Sequence, residues 1–208
     1  MAFEPGYGET PLDYDELDAL QPELRELLGD PIQKSQVYDL EQAIQEEVAE
    51  ELLFAALEGG ISLDQILTDR FLRELHLRLY GDIWTWGGHY RTRTLNIGVD
   101  HFLVSSEVRA SFENISYRWE HTNDWTPRQL GVAVHAEIVR IHPFFDGNGR
   151  STRLLADLVL AAAHDGSDPE QFDWQLDRGR YIELLREFDH HRDARFLAEF
   201  IQARQFGG

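Results

Sequence analysis

The sequence contains no cysteine. This absence excludes disulfide bonds and thiolate chemistry, and it is typical of a cytoplasmic protein, which is the location we expect. Long apolar runs are absent as well, since no stretch approaches the roughly 18 apolar residues that cross a membrane. Residues 1–16 contain neither a basic region nor an apolar segment, so they do not resemble a secretory signal. We therefore expect no membrane association.

Basic residues are scarce in this chain. It has 19 of them against 38 acidic residues, and the net charge is −19. Such a surface repels nucleic acid and anionic membranes, so we expect no direct nucleic acid binding. Lys34 is the only lysine, which excludes a P-loop or kinase type of lysine elsewhere in the chain. At 208 residues, the chain is long enough for one domain with a substantial core.

Apolar residues recur at helical spacing over most of the chain, and this pattern predicts an all-α fold. The predicted helices cover residues 14–28, 37–57, 68–80, 107–121, 130–141, 154–163, 181–188 and 196–201. The helix at 37–57 has an apolar face and an opposite, acidic face that includes Glu41, Glu46 and Glu50. We divide the chain into an N-terminal arm with a short helix at 1–39 and one domain at 40–208.

One stretch has a different pattern. Residues 94–97 and 102–104 are rich in strand-forming side chains and flank a turn region at Gly98. This arrangement predicts one small β-hairpin in the otherwise helical chain.

The most informative window is residues 141–153, between two apolar helices. Pro143 ends the first helix, because proline lacks an N–H donor and its ring clashes with the preceding turn. Gly147 and Gly149 can adopt a positive φ and allow a ligand to approach the backbone. Their N–H groups belong to the start of the second helix, where unpaired donors and the helix dipole favour an anion such as phosphate.

Four further side chains in the window suit phosphate chemistry. Arg150 and Arg153 are three residues apart on a helix, so both can face one anion. His142 is a base that titrates near neutral pH, and Asp146 is a hard oxygen ligand. Each feature alone also suits an ordinary loop, a core histidine or a solvated helix face. Their combination in one window favours a phosphate site with a base and a metal ligand.

This window resembles the motif of a known family. The residues His142-Pro-Phe144-x-Asp146-Gly147-Asn148-Gly149-Arg150-x-x-Arg153 match HxFx(D/E)GNGRxxR, the motif of the Fic (Fic/DOC) family, at every fixed position. Residues 86–91 and 96–98 are similar to two further segments of the family. Residues 8–13 resemble the subfamily called mobile mystery protein B.

The resemblance implies a Fic domain at 40–208, a helical bundle with a small β-hairpin flap over the active site. It implies transfer of AMP from ATP to a Ser, Thr or Tyr hydroxyl of a target protein. His142 would be the general base and Asp146 the Mg²⁺ ligand. The residues that would bind the nucleotide phosphates are Gly147, Asn148, Gly149, Arg150 and Arg153. Asn96, Ile97 and Gly98 would belong to the flap, which holds the target by strand addition.

The resemblance also raises the question of inhibition. Many members of the family are held inactive by a glutamate of a Ser/Thr-x-x-x-Glu-Gly/Asn helix that pairs with the second arginine of the motif. Glu58 is the nearest match here, although Phe54 stands where Ser or Thr belongs. Alternatively, a separate antitoxin-like protein would inhibit the enzyme. Two alternative functions are a non-catalytic partner in a toxin–antitoxin-type pair, and a transferase of UMP or phosphocholine or an enzyme that removes AMP.

Overall fold

The computed structural model describes residues 11–164 and 169–206, which form an all-α fold with one small sheet, so the helical prediction is confirmed. The helices are α1 Tyr14–Ala19, α2 Pro22–Leu28, α3 Lys34–Leu57, α4 Leu63–Ile66, α5 Asp69–Tyr80, α6 Val104–His121, α7 Pro127–Ile141, α8 Asn148–Ala163, α9 Arg178–His191 and α10 Arg195–Phe200. Strands β1 Glu170–Phe172 and β2 Ala203–Gln205 pair in antiparallel orientation.

The helix predicted at 14–28 is two helices in the structure. α1 ends at Ala19, and Pro22 occupies the start of α2, where its missing N–H is of no consequence. The backbone between the two helices bonds to a distant part of the chain: the N–H of Gln21 donates to the carbonyl of Ile83 at 2.8 Å. The predicted domain boundary at 39/40 lies inside α3, and Leu12 on one side of it shares a core with Val48 on the other.

The prediction of a β-hairpin around Gly98 is wrong. Residues 92–100 form an irregular loop, a short 3₁₀ turn covers His101–Leu103, and α6 begins at Val104. The loop bonds to the end of α7 and has no partner strand, since the N–H of Val99 donates to the carbonyl of Ile141 at 3.2 Å. The apolar residues of the two predicted strands do not form a sheet: Ile97 and Phe102 are exposed, and the N–H of Leu103 donates to the nearby carbonyl of Asp100 in the 3₁₀ turn.

α7 and α8 form the centre of the fold, and both have apolar residues on several faces. One side of the pair packs against α3, α5 and α6, and the other side packs against α9, α10 and β1. The fully buried residues of the pair include Leu130, Val134, Ile138, Ile141, Leu155, Leu158 and Val159. The connection between these helices is the window at 142–147, so the core fixes that turn from two sides. Within the described ranges, no helix has the length and apolar character needed to cross a bilayer.

His135 on α7 is fully buried between the two halves of the core. One ring nitrogen, Nε2, lies 2.6 Å from the hydroxyl of Tyr181 on α9, which gives this histidine a structural role. Burial lowers the pKa of His135 from its ordinary value of 6.5 to about 3. The folded protein therefore holds this ring neutral over the whole neutral range.

We expect the protein to lose stability when the pH falls below 6.5. The unfolded chain then binds a proton at His135 that the folded chain rejects, so the loss grows until the pH approaches the folded pKa of about 3. Between pH 6.5 and pH 5 this site accounts for about 2 kcal/mol of the free energy of unfolding. Urea unfolding of the parent and His135→Gln proteins across this range measures it. His190→Gln is the control at an exposed histidine, and an equal slope in all three proteins would contradict the assignment.

Candidate active site

The turn between α7 and α8 brings the predicted phosphate residues together. α7 ends at Ile141, His142 follows with a φ of 53°, and Gly147, with a φ of 72°, is the cap residue directly before α8. These two left-handed residues reverse the chain within a few positions. A pocket of about 190 Å³ lies against the turn, and it is lined by His142, Asp146, Gly147, Asn148, Gly149, Arg150 and Arg153.

The first turn of α8 presents free backbone donors to this pocket. The first N–H of the helix with a backbone acceptor belongs to Ser151, which donates to the carbonyl of Gly147 at 2.9 Å. The N–H groups of residues 148–150 precede it and stay unpaired in the helix, as at any helix start. A side chain at Gly149 would meet no atom within 4 Å, so the backbone there is open to a ligand. The start of α8 is therefore suited to an anion.

Asn148 closes the turn with its side chain. Its Oδ1 accepts the N–H of Phe144 at 2.9 Å, and its Nδ2 donates to the carbonyl of the same residue at 2.9 Å. The side chain is buried and both of its polar atoms are used. The sequence predicts Asn148 as a phosphate-binding residue, and the structure restricts any such contact to its backbone.

Phe144 and His76 form the floor of the turn. Phe144 is fully buried, and its ring stacks on His76 of α5 with a centroid distance of 3.6 Å. Nε2 of His76 donates to the carbonyl of Asp146 at 3.1 Å, and Nδ1 accepts the N–H of Gly88 at 2.9 Å. These partners fix a neutral tautomer, and burial lowers the pKa of His76 to about 4. Sequence reasoning missed His76, because nothing in the pattern of α5 distinguishes it.

Arg91 holds the end of α7 and the irregular loop together. Its Nε donates to the carbonyl of His142 at 2.7 Å, and its other nitrogens donate to the carbonyls of Arg93 (3.0 Å), Ile141 (3.4 Å) and Val99. A cation is favourable at a helix C-terminus, where the last carbonyls lack partners. The sequence marked this residue only as part of a segment similar to the family.

The loop also restricts His142 directly. Gly98 has a φ of 85°, and a side chain there would lie 2.6 Å from the Cβ of His142. Burial, together with the nearby charge of Arg91, lowers the pKa of His142. The imidazole is therefore neutral at neutral pH and free to accept a proton. Of the three predicted flap residues, Gly98 contacts this histidine, while Asn96 and Ile97 are exposed on the loop and do not line the pocket.

The two arginines of the window have different surroundings. The guanidinium of Arg150 forms an ion pair with Glu41 and lies over the ring of Tyr80, 5.0 Å from its centroid. Within residues 11–164 and 169–206, Arg153 forms neither an ion pair nor a hydrogen bond. Arg153 is thus available to an anion in the pocket, while Arg150 is already held by a carboxylate.

Glu41 is not on the exposed acidic face that the sequence predicted. It is 3% exposed, and its second carboxylate oxygen accepts Nε1–H of Trp84 at 2.7 Å. The buried stripe of α3 contains Val37, Glu41, Val48 and Leu52, so it runs through Glu41 at helical spacing. Glu58, the predicted inhibitory residue, is exposed at the end of α3. In the part of the chain that the structure describes, it forms no ion pair with Arg153.

Known proteins share this sequence pattern. Residues 66–160 match the model of the Fic/DOC family. "Protein adenylyltransferase Fic" of Nematostella vectensis is 30% identical over 152 residues, which make up 68% of this chain and 32% of that protein. The chain thus spans about a third of the length of that relative.

Solved structures share the fold. A Fic domain containing signaling protein from Bacteroides thetaiotaomicron aligns with a TM-score of 0.58 and 24% identity, over 72% of this chain and 57% of that one. The N-terminal Fic domain of a putative cell filamentation protein from Bartonella quintana, with bound ADP, aligns with a TM-score of 0.61 and 12% identity, over 85% and 88% of the two chains. The mobile mystery protein B resemblance stays a prediction, and residues 8–10 lie outside the described residues.

Two glycines of the turn give a matched pair of substitutions. Gly147→Ala forces an alanine to a φ of 72° and places its methyl group 2.5 Å from the ring of Tyr80. We expect a loss of about 2–4 kcal/mol in the free energy of unfolding, from backbone strain and overpacking. Gly149→Ala adds a methyl group in open space inside α8, so stability should be unchanged or slightly higher. Thermal unfolding measures both, and equal stability of the two variants would contradict the described turn.

Proposed function

Since the chain belongs to the Fic/DOC family, we propose that it is a protein adenylyltransferase, which transfers AMP from ATP to a hydroxyl side chain of a target protein. The observation that carries this proposal is the pocket at the start of α8. It combines open backbone donors, a neutral histidine and Arg153, which has no ion pair with any of the described residues. The name of the Nematostella relative supports the same reaction.

In the proposed reaction, the target hydroxyl attacks the α-phosphorus of ATP. A bond forms between the hydroxyl oxygen and phosphorus, the bond from phosphorus to the bridging oxygen of the β-phosphate breaks, and pyrophosphate leaves. His142 takes the proton of the hydroxyl. Its lowered pKa keeps the imidazole unprotonated at neutral pH, so the ring can act as a base. The backbone N–H groups at the start of α8 stabilise negative charge on the phosphate oxygens without rearrangement.

Magnesium fits this site through one protein ligand, and we propose Asp146 for that role. Its Oδ1 accepts the N–H of Gly147 at 2.6 Å, and the carboxylate lines the phosphate pocket. Among the described residues, no group of three or more acidic or histidine side chains could hold an ion alone. Magnesium commonly binds through one or two carboxylates together with substrate phosphates, which agrees with this lone carboxylate. When bound, the ion would offset charge on the leaving pyrophosphate.

We expect His142→Ala to abolish AMP transfer and to leave ATP binding nearly unchanged, because the ring supplies proton transfer and not phosphate contacts. Incubation with ATP followed by mass spectrometry of the protein and of added lysate proteins measures transfer, and calorimetry measures binding. UTP and CDP-choline serve as alternative donors. For the parent protein, the rate should fall only below pH 6.5, as His142 becomes protonated. Full transfer by the His142→Ala protein would contradict the base assignment.

The second part of the proposal concerns inhibition of nucleotide binding by a carboxylate of the same chain. The proposed phosphate contact of Arg150 conflicts with its ion pair to Glu41, because one guanidinium fork faces two anions. Glu41 is buried and also held by Trp84, so the pair does not separate easily. We therefore propose Glu41, and not Glu58, as the carboxylate within the chain that limits nucleotide binding. A separate antitoxin-like protein is the alternative.

Glu41→Gln should raise AMP transfer severalfold, since the amide keeps the hydrogen bond to Trp84 and loses the charge that holds Arg150. Glu58→Gln is the matched control on the same helix and should change the rate by less than about twofold, because exposed charges interact weakly. Steady-state transfer rates, with thermal unfolding as a check of the fold, measure the effect. Activation by Glu58→Gln alone would overturn the assignment, and no activation by either would favour restraint from a separate protein.

A further inference from the structure

A second and larger cavity adjoins the phosphate pocket. It has a volume of about 900 Å³ and lies between α1, α3 and the segment at residues 84–93. We refer to it as the acidic groove, after the carboxylates of Asp13, Asp15 and Asp18 along its α1 wall. Asp146 and Arg150 line both the groove and the phosphate pocket. A ligand in the groove therefore meets a ligand of the phosphate pocket at these two residues.

The floor of the acidic groove is aromatic. Trp84 and Trp86 stack with a centroid distance of 5.4 Å and nearly parallel planes, and the ring of Phe145 lies 6.4 Å from that of Trp86. Phe145 belongs to the turn of the active site and is 40% exposed. Aromatic faces beside carboxylates suit the aliphatic stems and cationic heads of arginine and lysine.

The charges along the groove are only partly balanced within the chain. Glu16 pairs with Lys34 at 2.6 Å, and Glu41 pairs with Arg150. Among the described residues, Asp15 and Asp18 form no ion pair, and both are exposed. On the opposite side, Arg91 is buried and bonds to backbone carbonyls, and the guanidinium of the exposed Arg93 lies over the ring of Phe145, 4.5 Å from its centroid. The α1 wall thus keeps a negative charge that faces the cavity.

The negative charge of the α1 wall determines which of the two substrates of the proposed reaction binds in the acidic groove. The triphosphate of a nucleotide is repelled by the α1 wall, and it is attracted to the start of α8 and to Arg153 in the neighbouring pocket. A cationic ligand has the opposite preference. The volume of the groove is at the upper end of the ~300–1,000 Å³ range of small-molecule sites, so it has room for several side chains of a peptide.

We propose that the acidic groove binds a basic segment of the target protein and so selects hydroxyl groups that have arginine or lysine nearby in the sequence. The proposal rests on the proposed function for the identity of the reaction, and on the cavity, its aromatic floor and its charge for the class of target. The segment enters along α1 and passes Asp146, and its hydroxyl reaches His142 and the nucleotide in the adjoining phosphate pocket.

The test uses the full chain and a short fluorescein-labelled peptide with a central serine and arginines on both sides. A second peptide has glutamates in place of the arginines. Fluorescence anisotropy at low ionic strength should give at least about tenfold tighter binding of the arginine peptide, and added salt should reduce the difference. Asp15→Asn/Asp18→Asn should weaken that binding about three- to tenfold. Glu23→Gln/Glu26→Gln on exposed positions of α2, outside the groove, should change it by less than about twofold.

Equal binding of the two peptides, no binding of either, or equal effects of the two double variants would overturn the proposal. Light scattering tests a second copy of the chain as occupant, and self-association that the Asp15→Asn/Asp18→Asn protein loses would also contradict it. Mass spectrometry of the peptide after incubation with ATP separates the two proposals. Charge-dependent binding without AMP transfer supports the groove and counts against the proposed reaction. Transfer to other proteins, with no charge preference in peptide binding, supports the reaction and counts against the groove.

Discussion

The carbonyl groups at the end of α7 accept hydrogen bonds from the buried guanidinium of Arg91 and from the N–H of Val99, and the active-site turn depends on these contacts. A helix end leaves its last carbonyls unpaired, and their burial without partners is costly. Arg91 bonds to the carbonyls of Ile141 and His142 and at the same time to the loop at Val99. The positive φ of His142 is thereby stabilised, and the imidazole stays beside the start of α8. The cost of a left-handed histidine is offset by one side chain that the rest of the core holds in place.

Negative and positive ligands are separated over a short distance at this site. The start of α8 favours an anion, and the wall of α1 favours a cation. Arg150 lies where the two regions meet, and Glu41 holds it there. Two substrates of opposite charge can therefore approach one another where the two cavities meet, at Asp146 and Arg150. In the proposed reaction, the Glu41 ion pair is the point of control, because it opposes only the nucleotide.

The local parts of the site were predictable from the sequence, because they depend on neighbouring residues. Thr126 caps α7 with its side chain, Pro143 follows the last turn of that helix, and the glycine pair begins α8, so spacing alone placed the pocket residues together. The contacts that cross the fold were not predictable in this way. Glu41 has the composition of a surface residue, and only the packing of α3 against α8 makes it a buried partner of Arg150. His76 has no pattern that predicts its stacking on Phe144. The hairpin prediction failed because the loop between the predicted strands is held by α7, through the bond from Val99 to Ile141, and the strands do not pair with each other.

The central claim is that the first turn of α8 is a preformed anion site for the phosphates of a nucleotide. An amide NMR titration with magnesium and a non-hydrolysable ATP analogue tests it most directly. The account predicts that the largest shifts occur at the N–H groups of residues 148–150 and at the guanidinium of Arg153, with little change at residues of α1. Binding that leaves those resonances unchanged while others shift would contradict the claim.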